Sequence, residues 1–425
     1  MNKTAFLIFI LIMFFSPNAW AAYPIAKGDI LTLEQCLQIA LKSNPAINAA
    51  QSVIHQAESR IGQARSGYYP QINFQSGYHR VAPSATSLRS DPYNSYSNTL
   101  SLNQTLFDFG KTWTRVDIST LNRESAEADF QEVKASIIFG VKEAYYGFVK
   151  ARMSEQVATE TVVQFEQHFE IAKTFFETGR SSKIDVTSAE VNLSNARIQL
   201  LSAQNALRIA RVTLNRAMGI TQAPQYDVQE EFQPTIQQVS FDDALSQAYE
   251  NRPDLLSAVR AKDALEKNVD LNKKGYLPVL AGSAAYGYAG DDTSMDKSWN
   301  VGLTLTFPLF SGLSTKYAVE EAAAGLDIAR AGEDILRQSI YLEVQSAYLK
   351  RREAFERIEA GKVIVRQAEE TLELAQGRYE TGVGSSIEIT DAMIKLNNAK
   401  MIYITALSDF SIAQASLEKA IGAQK

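Results

Sequence analysis

The sequence predicts a mainly α-helical chain with a β-barrel part, built from two copies of a helix–strand–strand–helix half. Three observations predict it. The chain repeats itself at a period of about 200 residues. Long proline-free runs carry apolar residues every 3.5 positions. Four segments of about ten residues alternate apolar with polar.

The repeat comes first. "LTLEQCLQIALKSNP" (31–45) matches "VSFDDALSQAYENRP" (239–253), and "GYYPQINFQSGY" (67–78) matches "GYLPVLAGSAAY" (275–286), both at an offset of 208. "TLFDFG" (105–110) matches "PLFSGL" (308–313), "FETG" (176–179) matches "YETG" (379–382), and "AMG" (217–219) matches "AIG" (420–422), all at an offset of 203. The second copy is therefore shorter by five residues, lost between 286 and 310, where a surface loop is expected. The expected division is 1–21 as a signal peptide, 22–225 as the first repeat and 226–425 as the second.

The helices follow from periodicity. Val186, Ala189, Leu193, Ala196, Leu200, Ala203, Leu207, Ala210, Leu214 and Ala217 are spaced 3, 4, 3, 4, and Ile389 to Ala420 repeat the pattern 203 residues later. A large residue alternates with alanine, so a neighbouring helix can approach closely beside each side chain that fills the gap. A second stripe flanks the first: Ile184, Val191 and Ile198, echoed by Ile387, Ile394 and Met401. Two seams suit a closed ring of helices; an ordinary soluble coiled coil with one seam fits these residues equally. No proline interrupts 111–178, a run of roughly 100 Å as a helix. Segments 46–66 and 181–218 placed end to end about match it, and 254–274 with 384–421 about match 314–379. Such lengths describe a rod or a tube.

The strands are expected at about 70–82, 97–107, 278–289 and 298–310. The last is clearest: Trp299, Val301, Leu303, Leu305 and Phe307 alternate with Asn300, Gly302, Thr304 and Thr306. Tilted strands of this length cross an outer membrane, with an apolar face to lipid and a polar face to water. A small sheet in a soluble sandwich alternates in the same way; aromatic residues near the strand ends (Tyr96, Phe107, Trp299, Phe307, Phe310) favour the membrane. Membrane barrels start at about eight strands, and an open edge in lipid costs several kcal/mol per unpaired group. Spanning strands must therefore be shared among several chains.

Bulk properties narrow the class. "MNKTAFLIFILIMFFSPNAWAAYP" has a basic start, an apolar stretch and a small-x-small site, and reads as a secretory signal cleaved after Ala21. Cys36 is the only cysteine, so packing rather than disulfides must hold the exported chain. With 42 basic and 48 acidic residues, the balance argues against nucleic acid as a partner. His55, His79 and His168 have no metal-ligand spacing, and neither a phosphate-binding glycine loop nor a nucleophile elbow occurs. No catalytic residue, cofactor or metal is expected.

The paired motifs, "GYYP" and "GYLP" into strands, "TLFDFGK" and "PLFSG" out of them, and the "ETG" helix turns together resemble the TolC family of outer-membrane efflux proteins over nearly all of the expected mature chain. The resemblance implies a homotrimer with a twelve-stranded outer-membrane barrel joined to a twelve-helix periplasmic tunnel. It implies an exit duct for small molecules or protein, served by a periplasmic adaptor and an inner-membrane transporter. It also puts the "ETG" turns at the periplasmic tip. There Glu388 and Asp391 match acidic residues that ring the tunnel entrance, while Tyr379 and Asp185 match a tyrosine–aspartate bond that latches it. The second copy would thus carry a lining and the first a latch. Gly384 stands where the family has a basic latch residue; Arg180 and Lys183 lie near, in the first repeat. Read without the resemblance, Glu388 and Asp391 are helix-start charges. The alternative function is a periplasmic coiled-coil adaptor of the membrane-fusion type, which would carry one hairpin rather than two equal halves.

Overall fold

The computed structural model describes residues 25–83, 91–230, 232 and 239–423. The expected signal peptide and residues 84–90 of the first inter-strand loop lie outside the described residues. In chain order the elements are β1 (Ile30–Leu31), α1 (Leu33–Ser43), α2 (Pro45–Arg65), β2 (Gln71–Val81), β3 (Tyr93–Phe107), α3 (Lys111–Glu177), α4 (Lys183–Ala217), β4 (Asp227–Val228), α5 (Phe241–Asn251), α6 (Pro253–Lys273), β5 (Val279–Asp291), β6 (Met295–Thr306), α7 (Ser314–Glu380) and α8 (Ser386–Ala420).

Local chemistry sets the helix ends. Thr32 caps α1 and Gln35 closes the capping box. Asn44 ends α1 and starts α2, with Pro45 at the first helical position, where its missing N–H costs nothing. The helices α3 and α7 have 67 residues each. Along α3 lie α2 and α4, and α6 and α8 pack on both α7 and α3, so the second half rests on the first. The alternating seam is the buried one: Ala189, Leu193, Ala196 and Leu214 in α4, and Ile389, Ala392, Leu396, Ala399, Ala406, Phe410, Ala413, Leu417 and Ala420 in α8. Where α7 meets α8, a Cβ on Gly361 would stand 3.3 Å from the Tyr403 ring, so the glycine makes room for the larger partner.

The second stripe behaves differently. Ile184, Val191 and Ile198 are 72%, 54% and 61% exposed on α4. On α7, Ile328, Ile335, Leu342 and Leu349 recur every seven residues and are also exposed. One chain thus leaves heptad stripes uncovered on α4 and α7, and on α8 Ile387 and Ile394 of the echoing stripe are exposed while Met401 is half-buried. Covering each such side chain would stabilise by about 1.5–3 kcal/mol. A coiled coil with a single seam would present polar faces there, so the two-seam reading fits.

The strands form one antiparallel sheet in the order β2-β3-β5-β6. Register puts Phe74, Leu100, Tyr286 and Trp299 in one row across all four strands, and Ile72, Leu102, Ala284 and Val301 in the next on the same face. The opposite face carries Gln75, Thr99, Gly287 and Ser298. The outer edges of β2 and β6 have no partner strand among the described residues. Two strands differ from expectation. β3 starts at Tyr93, and β6 runs from Met295 to Thr306. The Asp291 carboxylate accepts from Thr293 and Ser294 N–H and closes a short turn that lets β6 start early. Pro308 lacks the N–H that would continue β6 beyond Thr306.

The strand-to-helix turns put Phe109 and Gly110, and Gly312 and Leu313, in the left-handed region. Each repeat therefore holds one non-glycine residue there, at a cost of roughly 1–2 kcal/mol. The turns are cross-tied. Lys111 Nζ donates to the Leu277 carbonyl oxygen at 3.0 Å, and Lys274 Nζ donates to Thr114 Oγ1 at 2.6 Å. A two-residue parallel pair, β1 with β4, has no counterpart in the sequence reading. Arg152 holds it to α3 by donating to the Val228 carbonyl oxygen at 2.8 Å and pairing with Asp227 at 2.9 Å.

Candidate functional site

The site lies at the end of the helices farthest from the sheet. Each long helix stops at a glycine in the left-handed region, Gly179 (φ 75°) or Gly382 (φ 79°), the position where a helix end favours glycine. The chain turns there and starts α4 or α8. Residues of both halves pack together beneath the turns: Phe165, Leu193 and Ala196 from the first, and Leu372, Tyr379, Ile389, Met393 and Leu396 from the second.

The four carboxylate and tyrosine positions divide into two settings. Asp185 completes the capping box of α4, whose N-cap is Ser182: it accepts from Ser182 Oγ at 2.7 Å, Ser181 Oγ at 2.8 Å and Ser182 N–H at 3.1 Å. These bonds, that from Ser182 Oγ above all, hold its carboxyl below the usual carboxylate range against the opposing effect of burial. Tyr379 is buried, its ring 5.3 Å from Phe175 and 5.7 Å from His168. Burial first, and the Asp185 charge second, push its phenol up. The tyrosine–aspartate hydrogen bond expected from the resemblance is not made. Among the described residues the Tyr379 hydroxyl makes no well-formed hydrogen bond, with Ser386 a polar neighbour, and serine donors hold Asp185.

Glu388 and Asp391 are exposed on the first turns of α8. Glu388 accepts from Arg378 Nε at 3.2 Å, while Asp391 has no ion pair among the described residues. Arg180 lies over the Phe175 ring at 4.4 Å, and its Nη2 comes within 3.8 Å of where a Cβ on Gly382 would stand. It thus reaches from the first turn towards the second. Lys183 opens α4 and has no ion pair among the described residues. Gly384 has a steric reason. A Cβ there would sit 3.0 Å from both Arg378 Cβ and Tyr379 N, because the turn folds tightly onto the end of α7.

Two participants were missed from the sequence. His168 is 2% exposed, with Nε2 3.1 Å from Ser386 Oγ, and so joins α3 to α8. Its signal was only a single histidine on a helix face. Arg378 reaches Glu388 across the turn; its signal was a basic residue in the last turn of a helix. Among the described residues no group of three His, Cys, Asp or Glu side chains is placed to hold a metal ion, and no helix is long and apolar enough to cross a membrane.

The outer membrane efflux protein family matches residues 36–220 and 244–423, most of both halves. The chain belongs to the outer membrane efflux protein family. It is 21% identical over 393 residues to the outer membrane protein TolC of Vibrio cholerae, covering 90% of this chain and 89% of the relative. It is 23% identical over 404 residues to the alkaline protease secretion protein AprF of Pseudomonas aeruginosa, covering 90% and 84%. The solved structure of CusC superposes with a TM-score of 0.82 at 19% identity over 95% of this chain and 96% of that one. This efflux protein is an outer-membrane exit duct that extends into the periplasm, with a helical tunnel joined to a β-barrel. The adaptor alternative is set aside: its single hairpin has no place for the four-stranded sheet or for the second half.

Proposed function

We propose that three copies of this chain close one barrel and one tunnel, which carry small molecules or protein across the outer membrane without doing chemistry. The observation that carries the reading is the incomplete single chain. Among the described residues both sheet edges are open, one sheet face carries two adjacent apolar rows, and heptad stripes on α4 and α7 are uncovered. The stripe on α4 of one copy suits that on α7 of the next. Each chain would contribute 22–225 and 226–425 as quasi-equivalent halves of the ring. The duct would work with a periplasmic adaptor and an inner-membrane transporter that supplies the energy. One relative is named for secretion of a protease and the family for efflux, so both cargo classes stand.

At the tip, Glu388 and Asp391 would line the entrance, and Tyr379 and Asp185, with Arg180 and Lys183 beside them, would keep it closed. Exposure of both carboxylates on adjacent turns of α8 supports the lining. The packing of Tyr379 of α7 against His168 and Phe175 of α3 and the capping-box role of Asp185 support a latch made by packing and capping rather than by a direct bond. Carboxylates around a narrow opening favour cations. Planar-bilayer recordings of the E388A/D391A variant test the lining. Reduced cation preference is expected, and an unchanged preference rejects it.

A further inference from the structure

We propose that Arg378 sets the charge of the entrance by neutralising Glu388, so that Asp391 is the carboxylate left to meet passing cations. The proposal rests on the reading of Glu388 and Asp391 as lining residues and goes beyond it by assigning a specificity-determining cation.

The turn fixes Arg378 in place. Its carbonyl oxygen accepts from Val383 N–H at 2.9 Å, from Gly384 N–H at 2.8 Å and from Thr381 Oγ1 at 3.0 Å. The start of α8 is thereby folded back over the last turn of α7. Close approach at Gly384, where no side chain intervenes, leaves the guanidinium facing Glu388, with Nε 3.2 Å from Oε2. Asp391 lies one turn farther along α8 and has no such partner among the described residues. The arrangement belongs to the second half alone. At the corresponding positions of the first half stand Phe175, Asp185 and Ser188, and Asp185 is held by serines.

An ion pair this exposed contributes little to stability. Its effect on the opening is different in kind. A fixed positive charge beside one of two carboxylates leaves one uncompensated negative charge per chain where two are written in the sequence. In a ring of three copies the field that draws cations inward is about halved, and the site at which a multivalent ion dwells moves to Asp391.

The test uses the full-length trimer in planar bilayers. Reversal potentials are read in a KCl gradient, and block is read with Mg²⁺ added on the periplasmic side. For R378Q, the K⁺/Cl⁻ permeability ratio is expected to rise roughly two- to fivefold and the half-blocking Mg²⁺ concentration to fall by a similar factor. E388Q should lower the ratio, because it leaves Arg378 uncompensated, and R378Q added to E388Q should recover it. If E388Q/D391N lowers the ratio while R378Q moves neither ratio nor block, the assignment of Arg378 is overturned and the lining stands. If E388Q/D391N itself leaves the ratio unmoved, the lining fails and the assignment with it.

Discussion

His168 and Ser386 stand 218 residues apart in sequence and meet at the tip, imidazole Nε2 3.1 Å from hydroxyl Oγ. Asp185 approaches from α4, and Tyr379 faces the ring from α7. Burial holds the imidazole below its ordinary value, and the Asp185 charge opposes this only in part. The folded tip therefore prefers neutral histidine. Below about pH 6.5 the opened chain takes up a proton that the packed tip refuses, so stability is lost as pH falls. Amide exchange at 178–186 and 380–388 should be faster at pH 5.5 than at 7.5 after correction for intrinsic rates. His168→Leu should flatten this difference; equal protection in wild type at both values would contradict the assignment.

Among the described residues the buried Tyr379 hydroxyl makes no well-formed hydrogen bond, so Tyr379→Phe should change tip stability by less than about 1 kcal/mol. Tyr379→Ala removes the ring from between His168 and Phe175 and should cost about 3 kcal/mol or more. Single-channel conductance checks the pair: the alanine variant should conduct more than wild type, the phenylalanine variant should not. Equal rises in both would restore the hydroxyl to the latch.

Asp185→Ala removes the N3 half of the α4 capping box and leaves the N-cap Ser182 in place, at a cost of about 1 kcal/mol. Conductance should rise, by less than in Tyr379→Ala. Serine donors at Ser181 and Ser182 would lose their acceptor, so limited proteolysis at 180–183 should quicken.

Arg252 is buried where α5 meets α6 and pairs with both Asp254 and Glu343 at 2.6 Å. Burial alone would lower its pKa, but the two carboxylates reverse this and raise it. Arg252→Ala leaves Asp254, itself half-buried, without its cation and should cost about 3–5 kcal/mol. Heat resistance of the assembled protein reads this directly. The matching residue of the first half, Asn44, ties the same joint through a neutral bond to the Ala217 carbonyl oxygen at 3.2 Å, so Asn44→Ala should cost less.

The long helices were legible because their seam repeats every 3.5 residues and no proline breaks it. The sheet was legible because Trp299 to Phe307 alternate, and a run of that kind leaves one choice of face. The β1–β4 pair was not legible, since two residues carry no period and their pairing is fixed from outside by Arg152. At the tip, the residue types of Glu388 and Asp391 stood out, but their partners did not. The bond between Arg378 and Glu388 depends on how a glycine turn folds back, and the place of His168 depends on the other half of the chain. The resemblance supplied Tyr379 and Asp185; it could not supply the serines that occupy Asp185 here.

The molar mass of the purified full-length protein in a mild detergent, by light scattering with the detergent subtracted, tests the central claim most directly. Closure of the open sheet edges and helix faces requires sister copies, and with the threefold number that the family resemblance implies the account predicts a particle of three chains. A stable particle of one chain, with sheet and helix intact, would contradict it.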